Sequence, residues 1–270
     1  MPVYDPAAAD ACFVDGRPPK DLDAVLTWVR GLYETRQVGP SRLISARQKF
    51  GKTLFEIEED TAAGPRRLIG KLGRTDRAEV LHKALCELRN DGFRPPARFT
   101  VSEPVAFVRE HGFVLQEKVP GPQATRLILA SGESGRTAAV DSARWLAALH
   151  SSNLSASSDS FDAHQVLRWA QALTEVQATD ARMIRDIADA VLQRLSETAT
   201  PGVPTHGDFH PSNVFIAGNE RVSGIDLDKF AVREPESDIG WFLMQTAVLL
   251  FEGGRGSRPA GSPGPRALSL

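Results

Sequence analysis

Residues 205–213 read Thr-His-Gly-Asp-Phe-His-Pro-Ser-Asn, and after two short apolar runs the chain continues Gly224-Ile225-Asp226-Leu227-Asp228. This stretch restricts the fold more than any other. Asp208 and Asn213 stand five residues apart on one tight loop between a helix end and a strand. Val214–Ala217 and Val222–Asp226 flank Gly218-Asn219-Glu220 and read as a β-hairpin. Such a hairpin folds Asp226 back beside the loop, so a carboxylate, an amide and a second carboxylate converge. All three offer oxygen. That set suits Mg²⁺, which is usually held by one or two carboxylates together with substrate phosphates. Zinc would call for more Cys or His.

The rest of the chain supplies a setting. Asp21 to Arg36 places Leu22, Val25, Leu26, Val29, Leu32 and Tyr33 on one helical face. From Arg42 to Val119 the texture turns to short strands at Leu43–Ala46, Leu54–Ile57, Leu68–Leu72, Val105–Val108 and Phe113–Val119, with one helix at Arg77–Arg89. After Gly121 it is mainly helical, with Ala138–His150, Asp162–Val176, Ala181–Leu195 and Asp238–Phe251, and a Ser-rich loop at Ser151–Ser160. We expect an α+β chain of four parts: an N-terminal extension and helix (1–40), a sheet-rich N-lobe (41–118), a helical C-lobe (119–252), and a Gly/Pro/Arg-rich disordered tail (253–270).

Phosphoryl transfer draws on this set of groups. An Asp takes the acceptor hydroxyl's proton, an Asn and an Asp hold metal against the phosphates, and a Lys orients them. The loop His206-Gly207-Asp208-x₄-Asn213 differs by one residue from the protein-kinase H-R-D-x₄-N. No D-F-G, A-P-E or activation loop lies between Asp226 and Asp238, which disfavours a protein kinase.

Residues 206–213 and 225–227 resemble the hallmark of the aminoglycoside phosphotransferase and choline kinase-like family of small-molecule kinases. Trp145–His150, Asp238, Ile69-Gly70-Lys71 and Gln116–Gly121 extend the resemblance over roughly residues 40–250. It implies a bilobal protein-kinase-like fold, with transfer of a nucleotide γ-phosphate to a hydroxyl of a small molecule. It further implies Asp208 as catalytic base, Asn213 and Asp226 as Mg²⁺ ligands, and Lys71 on the α/β-phosphates. The partner implied for Lys71 is Glu79, with Glu87 as the alternative. Gln116, Glu117 and Val119 match the inter-lobe hinge beside the nucleotide, ATP or GTP. The acceptor class stays open between aminoglycosides, other amino alcohols and sugars. A second reading is a kinase-like protein that binds nucleotide with little or no catalysis.

Other residues take plainer readings. Asp228 reads as a surface or loop-capping charge, His206 and His210 as groups that hold the loop, and Asp238 as a helix N-cap. The segment Ala46–Lys52 carries one glycine and so is no glycine-rich phosphate loop, which leaves Lys49 or Lys52 to contact phosphate. Relatives usually continue with further helices beyond the point matching Phe251. We therefore expect a truncated C-lobe whose last helix exposes Trp241, Phe242, Leu249 and Leu250.

Composition narrows the partners. Thirty-two basic against 34 acidic side chains leave a net charge of −2, which advertises no nucleic acid. Residues 141–250 hold 15 acidic and 8 basic groups, a field that favours metal cations or a cationic acceptor. Two cysteines, no signal-peptide pattern and no apolar run of about twenty residues point to a soluble cytoplasmic protein away from membranes. Oligomeric state is not legible.

Overall fold

Thr53, Phe55, Ile57 and Glu59 are buried and alternate with more exposed neighbours, the two-residue period of a strand with one buried face. That strand sits second in a five-stranded antiparallel sheet whose strands run in the order Val38–Lys49, Lys52–Thr61, Gly64–Leu72, Phe113–Glu117 and Pro104–Val108. The structure, a computed structural model, describes residues 38–49, 52–154, 163–176, 178–197, 202–218 and 220–256, together with Thr27, Val29 and Gly31. The first lobe comprises β1 (Val38–Lys49), β2 (Lys52–Thr61), β3 (Gly64–Leu72), helix α1 (Thr75–Asn90), β5 (Pro104–Val108) and β6 (Phe113–Glu117), with β4 (Phe99–Val101) lying between α1 and β5. One sheet face buries Phe55, Ile57, Leu68, Leu72, Phe113 and Leu115, and Val29 packs into the same cluster. Each such side chain stabilises the fold by about 1.5–3 kcal/mol when fully withdrawn from water. A Cβ at Gly70 would sit 3.0 Å from the Phe113 ring, so any larger residue there would have to displace that ring.

Helix α1 turns Ala78, Leu81, Ala84, Leu85 and Leu88 inward, the 3-4 spacing of one helical face. These join a second core with Val114, Trp145, Phe209, Val214, Val222 and Leu227. That core sits under the helical lobe, made of α2 (Ala124–Leu129), α3 (Gly132–His150), α4 (Ala163–Val176), α5 (Ala181–Glu197), β7 (Val203–Thr205), the hairpin β8 (Val214–Ile216) and β9 (Val222–Gly224), β10 (Ala231–Arg233) and α6 (Glu236–Gly256). The expected bilobal α+β arrangement is present.

Two details differ from the sequence reading. Strand β4 falls within the span read as the N-lobe, yet it pairs in parallel with β9 at Phe99↔Val222 and Val101↔Gly224. A 2.7 Å bond between the Thr100 and Ser223 hydroxyls and a 3.0 Å bond from Trp145 Nε1 to Thr100 O hold it there. Runs of three residues carry too little periodicity to reveal such pairing, and β7, β10 and α2 escaped notice likewise. On α6, Trp241, Phe242 and Leu249 are half-buried, and Phe242 stacks 5.3 Å from Phe209. Leu250 is exposed as expected, and the apolar residues exposed beside it are Ile239, Leu243 and Phe251, each of the four at least 47% exposed.

Helix α6 runs through Gly256, into the segment read as tail. Residues 257–270, the side chain of Lys49 and most of the 21–36 helix lie outside the described residues. Among the described residues no helix is long and apolar enough to cross a membrane.

Candidate active site

Strand β7 delivers the chain to His206, and from there a carboxylate buried in α6 shapes the loop. Asp238, 1% exposed, accepts bonds from the His206 N–H at 2.7 Å, the Gly207 N–H at 2.9 Å and His150 Nε2 at 3.1 Å. It is the third residue of α6 and clamps the loop rather than capping its own helix. Gly207 adopts φ +77°, and a Cβ there would lie 2.3 Å from the Lys229 carbonyl oxygen, so only glycine fits. His206 is buried and donates from Nε2 to Ile225 O at 2.8 Å, while its Nδ1 accepts from the Asp208 N–H at 3.3 Å. Phe209 stacks on Trp145 with centroids 5.7 Å apart. These contacts make His206 a holding group.

Asp208 is thereby presented toward the cleft between the lobes. Asn213 donates from Nδ2 to Asp208 O at 3.1 Å, and its own carbonyl accepts from the Ile225 N–H at 2.9 Å. These two bonds join the loop to the segment carrying Asp226, whose backbone takes φ +66°. Asp208, Asn213 and Asp226 thus share one corner. Among the described residues no three His, Cys, Asp or Glu side chains gather to hold a metal. A cation here would rest on Asp226, on Asn213 Oδ1 (its Nδ2 being engaged) and on the ligand's own phosphates. That all-oxygen set fits Mg²⁺.

Three lysines meet three aspartates here, two of them, Lys71 and Lys52, reaching across from the first lobe and Lys229 from the same lobe as its partner. Lys71 Nζ lies 2.8 Å from Asp226 Oδ1, Lys52 pairs with Asp228 Oδ2, and Lys229 Nζ lies 3.0 Å from Asp208 Oδ2. Lys71 pairs across the sheet with Val114, which places it on the sheet face turned to α1 and the second lobe. It takes Asp226 rather than Glu79. Glu79 bridges Arg109 at 3.0 Å at the edge of α1, and Glu87 meets Lys83 one turn earlier at 3.7 Å. Asp228 is no surface charge: it is 5% exposed, and its carbonyl accepts from Arg77 at 3.2 Å. Neither the clamp by Asp238 nor Lys229 was foreseen. The only sequence signal for Lys229 is a lysine directly after Ile225-Asp226-Leu227-Asp228.

Electrostatics follow from this pairing. Burial alone would raise the Asp226 carboxyl, but the charge and hydrogen bond of Lys71, with smaller help from Lys52 and His206, hold it well below the usual carboxylate range. For Lys52 burial pulls downward, yet the bond to Asp228 and the charges of Asp226, Asp228 and Asp208 leave the ammonium more basic than usual.

Gln116, Glu117 and Val119, expected at a hinge, lie at the end of β6 and in the segment that leads to α2. Gln116 is 3% exposed within β6, and Glu117 Oε1 lies 3.5 Å from Arg66. Glu117 and Val119 border an open crevice of about 690 Å³ that also touches Ser102 and Arg221.

Several solved structures share this fold. The Plasmodium vivax ethanolamine kinase Pv091845 aligns with a TM-score of 0.63 at 16% identity, covering 95% of this chain and 76% of that one. A choline/ethanolamine kinase family protein from Mesorhizobium loti aligns at 0.56 and 16% identity, over 82% and 71% of the two chains. The streptomycin-ATP-APH(2")-IIa ternary complex aligns at 0.54 and 14% identity, over 87% and 83%. No curated protein sequence matches significantly. The model of the phosphotransferase enzyme family, APH, matches residues 53–261, which include the first lobe from β2 onward, the second lobe and every aspartate of the cleft. The chain belongs to the phosphotransferase enzyme family.

Proposed function

We propose that this protein transfers the γ-phosphoryl group of ATP or GTP to a hydroxyl of a small molecule, either an aminoglycoside or another amino alcohol or sugar. The observation that carries this reading is the meeting of Asp208, Asn213 and Asp226 at one corner of the cleft, with Lys71 reaching them from the opposite lobe. Asp208 accepts the proton of the acceptor hydroxyl as the new oxygen–phosphorus bond forms and the bond to the nucleoside diphosphate breaks. Asp226 and Asn213 would hold Mg²⁺, which supplies positive charge against the triphosphate. Lys71, and Lys52 in the absence of a glycine-rich loop, exchange carboxylates for phosphate oxygens. The hinge from Gln116 to Val119 borders the nucleotide base. Glu79, engaged by Arg109, takes no part in this scheme.

The acidic 141–250 segment supports a cationic acceptor. The relatives named above, an ethanolamine kinase and a streptomycin complex, point the same way. The test is nucleotide consumption with ATP and with GTP, in the presence of Mg²⁺, across aminoglycosides, amino alcohols, sugars and nucleosides. Turnover with at least one acceptor, lowered about 10²–10⁴-fold in Asp208→Ala, is the expected result. Nucleotide binding without turnover on any acceptor would instead favour a binding protein.

A further inference from the structure

We propose that Lys229 is a positioning residue for the transfer step, fixing the Asp208 carboxylate in the orientation from which it takes the acceptor's proton. This rests on the phosphotransferase reading above and assigns a role to a residue outside the metal and phosphate-binding set. The Lys229 ammonium lies 3.0 Å from Asp208 Oδ2. A carboxylate gripped at one oxygen presents the other in a defined direction, and proton transfer depends steeply on such alignment.

The grip is built into the backbone. Gly207, the residue before Asp208, sits so close to Lys229 that a Cβ on it would lie 2.9 Å from Lys229 Cβ and 2.3 Å from its carbonyl oxygen. The loop bearing the base and the loop bearing Asp226 therefore touch at this point. Lys229 is also held from both sides. Leu227 is fully buried, Phe230 is 7% exposed, and the Phe230 N–H donates to Leu227 O at 3.2 Å. With its backbone pinned, the side chain has a short, repeatable path to Asp208. The neighbouring lysines are occupied elsewhere, Lys71 on Asp226 and Lys52 on Asp228.

During transfer the hydroxyl proton passes to the Asp208 carboxylate, the acceptor oxygen bonds to phosphorus, and the nucleoside diphosphate leaves with the former bridging oxygen. Lys229 keeps its own proton throughout. It acts through Asp208, so removing it should matter only while Asp208 can serve as base.

That dependence gives the experiment. Lys229→Met and Lys229→Arg are made in wild type and in Asp208→Asn. Steady-state transfer is measured with the acceptor found above, and Mg·nucleotide affinity by calorimetry. Lys229→Met should lower kcat about 10-fold or more and leave the nucleotide KM within about twofold, the signature of lost alignment rather than lost binding. Lys229→Arg, which keeps a cation at this position, should recover most of the rate. In Asp208→Asn the same Lys229→Met change should alter kcat by less than about twofold, because the two residues act as a unit. Lys229→Leu, which also removes the donor, replaces Lys229→Met if that variant fails to fold, with the same outcomes expected. Wild-type kcat in the Met variant, or an equal loss in both backgrounds, overturns the proposal while leaving the phosphotransferase reading intact. A wild-type protein that transfers phosphate to no acceptor overturns both.

Discussion

Lys71 Nζ lies 2.8 Å from Asp226 Oδ1, a bond that joins residues 155 positions apart and closes β3 onto the loop behind β9. The ammonium grips the same carboxylate that a cation would need. On the function proposed above, a metal-bound nucleotide would exchange this pair for a carboxylate–metal contact and an ammonium–phosphate contact. The charges are conserved in that exchange, so the desolvation already invested in the cleft is retained.

Replacing Asp226 by Ala should remove the main anionic anchor for Mg²⁺ and leave Lys71 without its carboxylate. We expect Mg-dependent nucleotide affinity to fall by at least about tenfold, since a lost charge-assisted contact costs more than about 1.4 kcal/mol. Calorimetric titration of Mg·ATP into both proteins checks this. Equal affinities would place the cation elsewhere.

Asp208→Ala addresses chemistry rather than binding. General-base catalysis is typically worth about 10²–10⁴-fold, so kcat should fall by that factor while nucleotide affinity survives. A variant with undiminished kcat would mean that another group takes the proton.

Asp238 makes a structural prediction. Its carboxylate receives two loop amides and His150 in a site only 1% exposed. Asp238→Ala strands those donors, and the loss should reach about 3 kcal/mol or more in urea unfolding. Asp238→Asn, which keeps one acceptor oxygen, should lose less. Activity should fall in parallel, because Gly207 and Asp208 lose the anchor of their loop. Unchanged urea midpoints in both variants would remove the clamp from the account.

Glu59 predicts a pH dependence. Its side chain is buried in β2, and its Oε2 meets no hydrogen-bond partner among the described residues. Burial pushes the carboxyl above its usual value of 4.5, with Arg66 opposing weakly. A folded-state value raised in this way favours the protonated form, so its stabilising effect is complete below the unfolded value and is lost as pH rises through the folded one. Glu59→Gln should therefore raise Tm at about pH 8 and do so progressively less toward about pH 5. A gain that grows on acidification would contradict the assignment.

The sequence alone determined the parts whose signals are local. Spacing placed Asp208 and Asn213 on a loop before a hairpin, and the structure has both, because a turn of fixed length leaves few ways to connect β8 and β9; Asp226, read as the end of the second strand, instead follows β9, which stops at Gly224. Two-residue alternation in β2 and the 3-4 pattern of Ala78, Leu81, Ala84, Leu85 and Leu88 revealed a sheet lobe with one long helix. Only tertiary structure decided which charges meet. Glu79 stands on α1 at a plausible spacing, yet Arg109 takes it and Asp226 takes Lys71. Asp228, read as a surface charge, is buried against Lys52, and Asp238, read as a cap, holds a loop some thirty residues earlier. Periodicity reports which face of an element is buried. The identity of the partner across that face depends on how separate elements dock, and for these charges that docking was set by the burial of Trp145, Phe209 and Leu227 in a core between them.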